Sequence, residues 1–127
     1  MVSSESLRGY GKTRFELDRW KCRYCGLDCS QFHLWLFLCL DHIIPLQQQN
    51  EVTTNLDDQR NYVTACRMCN GFANRRKFVI PKDVSFEDQV TSVFDQKKKI
   101  ILERRNEWHD YWSKNIKPHI NDRKGST

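Results

Sequence analysis

Cys22-Arg23-Tyr24-Cys25-Gly26 and Cys66-Arg67-Met68-Cys69-Asn70 are two Cys-x-x-Cys turns with forty residues between them, and how they are read decides the fold. Each turn has the spacing of a zinc knuckle, in which two thiolates and nearby backbone amides converge on one ion; two such turns complete a tetrahedral set. A dithiol switch needs only one pair, and thiols used as small apolar core residues do not explain two matched pairs. A structural zinc at Cys22, Cys25, Cys66 and Cys69 is therefore expected. Cys29 and Cys39 fall outside the pattern. Cys39 lies in an apolar run and reads as core, whereas Cys29 is open to two readings, a core thiol or a substitute ligand.

The start, MVSSESLRGYGKTRF, contains no apolar stretch that could act as a secretory signal, and the longest apolar run, Leu34 to Leu40, is far too short to cross a bilayer. A cytoplasmic setting without a membrane partner is expected, and its reducing chemistry favours metal binding over disulfides for six cysteines. A chain of 127 residues, 39% hydrophobic and 29% charged, has room for one domain with a modest core. The expected organisation is a flexible start over 1–12, a main domain over 13–82 and a helical extension with a tail over 83–127.

Working outward from the knuckles, Thr13 to Trp20 reads as a short helix and His33 to Leu40 as a buried strand, with Pro45 ending regular pairing. Gln47 to Asp58 is polar and reads as a loop. Asn61 to Ala65 is a second strand, and Met68 to Phe78 a basic helix. Ser85, with Asp88 three residues later, is placed to cap a long helix that Pro118 ends, before a loose tail from Asn121. Val90, Phe94, Ile101, Trp108 and Trp112 fall on roughly one face of that helix and predict core packing or a homodimer contact.

Charge is uneven. Residues 1–65 hold 7 basic against 8 acidic side chains, and residues 66–127 hold 14 against 8, so the net +5 belongs to the second half. A polyanion, DNA or RNA, is the natural partner of such a surface.

Between the knuckles lies Leu40-Asp41-His42-Ile43-Ile44-Pro45, and Asn61-Tyr62-Val63-Thr64-Ala65 leads into the second one. Together with Arg19-Trp20-Lys21-Cys22 and the two knuckles, these segments resemble, in order and spacing over residues 14–78, the HNH endonuclease family of the cysteine-containing type. The resemblance implies an α+β fold, a ββα-metal finger with a structural four-cysteine zinc, here flanked by an N-terminal helix and a long C-terminal helix. It implies His42 as the general base that activates water, Asp41 and Asn70 as ligands of a catalytic divalent ion, and Asn61 as the residue that pins the loop between the strands. Asn70 stands where the name-giving pattern has histidine, which bears on metal preference. Asn74, one helical turn on, is either a third ligand or a solvated cap.

The residue chemistry points the same way. Phosphodiester hydrolysis needs a base for water, a cation for the phosphate and stabilisation of the leaving oxygen. Neutral histidine is the natural base near pH 7, and the oxygens of Asp41 and Asn70 suit Mg²⁺ or Mn²⁺ better than zinc. Neighbours on a strand face opposite ways, so Asp41 and His42 meet one phosphate only where the strand is ending. Arg75, Arg76 and Lys77 are candidate phosphate contacts, and Lys97, Lys98, Lys99, Arg104 and Arg105 a candidate extension of that track, beside Trp108, Tyr111 and Trp112. A solvated helix face is the alternative for this second cluster. His33, His109 and His119 read as structural. The competing function is a non-catalytic zinc finger that binds nucleic acid through the same basic surface.

Overall fold

The structure, a computed structural model, describes residues 10–120. The expected loose tail lies outside them, as does most of the expected flexible start, whose residues 10–12 are already helical. In chain order the elements are α1 (Tyr10–Leu17), α2 (Phe32–Trp35), β1 (Leu38–His42), β2 (Tyr62–Cys66), α3 (Arg67–Phe72) and α4 (Phe86–Asn115), with 3₁₀ turns at Leu46–Glu51 and Gln59–Asn61.

The two strands pair antiparallel, from Leu38 opposite Cys66 to His42 opposite Tyr62. Alternation splits the side chains between two faces. Val63 and Ala65 join Ile43, Ile44, Leu56, Val93 and Ile101 in the main core, on the side of α3 and α4. Leu38 joins Phe15 and Cys29 in a second, smaller core under α1, edged by Trp20, Leu34 and Leu40. The chain leaves α1 through Arg19 and Trp20, both in the left-handed region at φ 56° and 60°. The Trp20 amide closes on the Phe15 carbonyl at 2.8 Å, and its carbonyl takes the Cys29 amide at 2.8 Å, which holds this costly turn and aims the chain into the first knuckle.

The expected strand from His33 to Leu40 is corrected at both ends. β2 is only five residues long because Cys66 already caps α3, so residues before Leu38 have no partner strand. Most of their backbone groups bond locally instead, Trp35 N to Gln31 O at 2.7 Å and Phe37 N to Leu34 O at 2.9 Å, and a helical turn results, while Phe37 O still takes the Arg67 amide at 2.8 Å. At the other end β1 continues through Asp41 and His42, and the Ile43 amide still finds the Asn61 carbonyl at 2.8 Å.

The expected helix from Met68 to Phe78 is also shorter, closing at Phe72 before Arg75 turns left-handed at φ 63°. Two glutamines then hold the chain extended. Gln48, buried, accepts from Phe78 N at 3.0 Å and donates to Phe78 O at 2.8 Å, and Gln96 grips Val79 N and O in the same way.

Helix α4 begins as expected, with Ser85 Oγ accepting from Asp88 N at 3.1 Å, and stops at Asn115, short of Pro118. Its 30 residues span about 45 Å. Phe86, Val90, Val93, Lys97 and Ile101 are the buried positions. The stripe therefore bends away from the one expected: Trp108, Tyr111 and Trp112 are 53%, 51% and 39% exposed and lie beyond the core. No helix among the described residues is long and apolar enough to cross a membrane.

Candidate functional site

The Sγ atoms of Cys22, Cys25, Cys66 and Cys69 all lie within 4.8 Å of one another, with Cys25 and Cys66 4.0 Å apart. Four sulfurs at about 2.3 Å from a central zinc form a tetrahedron with edges of about 3.8 Å, so the cluster fits such an ion. Local backbone builds it. Cys22 N bonds Leu27 O at 3.0 Å, Gly26 N bonds Cys22 O at 2.8 Å, and Gly26 adopts φ +79°, a conformation open mainly to glycine. Arg23 N, donating to Thr64 O at 3.0 Å, ties this knuckle to β2, which delivers Cys66 and then Cys69 on the first turn of α3. Crowding drives the four acidities apart: the hydrogen bond with Cys25 lowers Cys22, and the one with Cys22 raises Cys69. A divalent cation resolves that conflict by taking every sulfur as thiolate. One partly buried cation is already at hand, since Arg105 Nη1 lies 4.0 Å from Cys69 Sγ and 3.6 Å from Met68 Sδ.

Cys29 and Cys39 stand apart from this cluster. Cys29 is fully buried in the second core. Cys39 donates to Ala65 O at 3.4 Å, and burial pushes its thiol up to about 11.

A cleft of about 240 Å³ is lined by Asp41, His42, Asn70, Asn74, Arg75 and Lys97, among others. Residues from β1, α3, the turn after α3 and α4 thus meet at one surface. Asp41 is buried, and its Oδ2 accepts from Tyr24 Oη at 2.6 Å and from Lys97 Nζ at 2.8 Å. Burial, with the Asp41 charge second, pushes the Tyr24 hydroxyl far up, so it stays a donor. Phe94 stacks on the Tyr24 ring at 5.1 Å. Asp41 Oδ1 takes part in neither bond; Asp41, Asn70 and Asn74 all line the cleft, and their side-chain oxygens are hard donors of the kind that suit Mg²⁺ or Mn²⁺.

His42 pairs across the sheet with Tyr62, ring centroids 4.5 Å apart. Its Nε2 lies 3.1 Å from Asp57 Oδ1 and 3.1 Å from Tyr62 Oη, and Tyr62 Oη donates to the same carboxylate oxygen at 3.2 Å. A carboxylate only accepts, so the neutral ring keeps its proton on Nε2 and its lone pair on Nδ1. Asn61 is fully buried. Its Oδ1 accepts from Ile44 N at 2.8 Å, while Nδ2 donates to Ile44 O and Leu56 O, both at 3.0 Å. One side chain thereby clamps both ends of the loop that leaves β1.

The basic residues divide. Arg75, Arg76, Lys77, Lys98 and Lys99 are exposed, and Arg104 and Arg105 are half-buried. Lys97 is a correction: it is 3% exposed, and its ammonium bonds Asp41 Oδ2, His42 O at 2.9 Å and Ile43 O at 3.0 Å, which leaves it no donor for a phosphate.

Sequence reasoning missed Tyr24, Asp57, Tyr62 and the true role of Lys97. The last left a trace, since Val93, Lys97 and Ile101 recur at helical spacing and a lysine on such a stripe calls for a buried acid. Asp57 sits in a polar loop among similar residues and leaves none. No protein-family model matches this chain, and neither does any curated protein or solved structure.

Proposed function

We propose that the chain is an HNH-type endonuclease in which β1, β2 and α3 form a ββα-metal unit, with His42 the general base for hydrolysis of a DNA phosphodiester. The observation that carries this reading is the meeting of Asp41, His42 and Asn70 at one open cleft, the His42 ring anchored through Nε2. Nδ1 accepts a proton from water as the water oxygen bonds to phosphorus and one P–O ester bond breaks. Asp57 accepts the Nε2 proton's hydrogen bond throughout and steadies the imidazolium that forms. Asp41 and Asn70, with Asn74 a candidate third donor, would hold Mg²⁺ or Mn²⁺, which when bound supplies positive charge to the phosphate and the leaving oxygen. The four-cysteine zinc holds the knuckles, and through them α3 and β2, in place.

Arg75, Arg76 and Lys77 follow the cleft directly and grip flanking phosphates, with Lys98 and Lys99 on α4 extending the track. Replacing the first three with alanine is expected to weaken DNA binding whatever the base order and to flatten its log–log salt slope by roughly two to three units, about 0.9 per lost phosphate contact. A binding titration across salt concentrations checks this; an unchanged slope would remove the cluster from the interface.

A second reading has one observation in its favour. Lys97 already pairs with Asp41 at 2.8 Å, which weakens the case for a divalent ion there and so favours a zinc-finger module that binds nucleic acid without cutting it. Incubating zinc-loaded protein with supercoiled plasmid, with Mg²⁺, with Mn²⁺ and with neither, separates the two. Metal-dependent nicked or linear product supports the nuclease; tight binding with no product under any ion supports the module.

A further inference from the structure

Lys97 reaches the cleft from α4, outside the segments that carry the HNH resemblance, and its ammonium is the cation nearest to Asp41 in the described structure. Its three donors meet three acceptors at 2.8, 2.9 and 3.0 Å, the Asp41 carboxylate and the carbonyls of His42 and Ile43. The Phe78 ring closes over it, 5.7 Å from Nζ. Successive carbonyls on a regular strand point to opposite sides. Those of His42 and Ile43 both reach one nitrogen, so the chain must leave strand geometry just after His42, and Lys97 holds it there. Acceptors at these distances suit an ammonium and are too far out for Mg²⁺, which takes its ligands at about 2.0–2.1 Å.

We propose that Lys97 is a positioning residue with a second effect: it fixes the turn that follows His42 and reserves Asp41 Oδ2, leaving a divalent ion only Oδ1. On this view α4 is part of the site rather than an appendage, and the ion is bound weakly because a fixed positive charge stands beside its one anionic ligand. The proposal rests on the reading of Asp41 as a divalent-ion ligand.

The test compares wild type with Lys97→Met, similar in length and uncharged, by electron paramagnetic resonance of free Mn²⁺ and by plasmid cleavage at saturating Mn²⁺. The variant is expected to bind Mn²⁺ roughly tenfold more tightly, as one nearby charge is removed, yet to turn over roughly tenfold more slowly, as the turn loosens. Loss of packing alone would not tighten ion binding. Equal Mn²⁺ affinity in the two folded proteins overturns the proposal and leaves the nuclease reading standing. Absence of Mn²⁺ binding from both overturns the two together. Should Lys97→Met fail to fold, the Lys97 ammonium nitrogen resonance of wild type is followed by NMR as Mg²⁺ is added. A shift that saturates with the ion supports the contact through Asp41, and an unmoved resonance during Mg²⁺ binding overturns it.

Discussion

Cys22→Ser is expected to lose zinc and cooperative unfolding together. Cys22 belongs both to the four-sulfur cluster and to the main core, at 1% exposure, so the substitution removes a ligand and places a hydroxyl among apolar neighbours. A structural zinc contributes about 10–16 kcal/mol of apparent binding free energy at pH 7, against a net stability of about 5–15 kcal/mol for a typical domain. A domain of this size has little else to replace it. The sign with pH follows from the chemistry: ligand thiols must be deprotonated to bind, so zinc is released, and the fold lost, as pH falls. Zinc content and thermal unfolding followed by circular dichroism check both halves. A folded Cys22→Ser protein with one zinc per chain would remove Cys22 from the site. Cys29→Ser is the contrast: zinc is kept, and stability falls by about 1–2 kcal/mol because a hydroxyl enters the second core.

What could be read from residue order alone was local or governed by spacing. Within each Cys-x-x-Cys turn the two cysteines lie close in sequence, and convergence of the two turns needs only that β2 run back along β1. The Ser85 cap is complete within four residues, so the start of α4 was legible. The N-terminal limit of β1 was not, because it is set by where its partner ends. The apolar run from Leu34 carries no mark that Cys66 caps a helix and so closes the ladder at Leu38. α3 was overextended for a related reason: Arg75 to Lys77 are good helix residues, but Gln48 and Gln96, from elements far along the chain, hold Phe78 and Val79 extended. Tertiary contacts override propensity in both places.

The site divides in the same way. Asp41, His42, Asn61 and Asn70 stood out through their places around the knuckles. Their anchors did not, because a side chain 15 residues on (Asp57) or 56 residues on (Lys97) is chosen by the fold. Lys97 shows the cost of reading charge by composition: within a basic run it looked like a phosphate contact, yet it is the least exposed charge of the cleft. The C-terminal aromatics failed in the opposite sense. Helical periodicity put Trp108 and Trp112 in line with Val90 and Ile101, but α4 outruns the domain it packs on.

His42→Ala carries the largest expected effect on function. The ring is 27% exposed and its hydrogen bonds go to Asp57 and Tyr62, so its removal should spare zinc content, folding and DNA affinity. Cleavage should fall by roughly 10²–10⁴-fold, the usual range for loss of a general acid or base. Asp41→Ala should fail differently, with activity lost at low Mg²⁺ and partly regained at high Mn²⁺, since it is assigned to the ion and not to the water. The most direct measurement is the rate of plasmid cleavage by wild type and His42→Ala at saturating Mn²⁺, each checked for zinc and fold. A drop of roughly 10²–10⁴-fold with DNA binding intact is the expected result; a folded His42→Ala protein that cuts at the wild-type rate would contradict it.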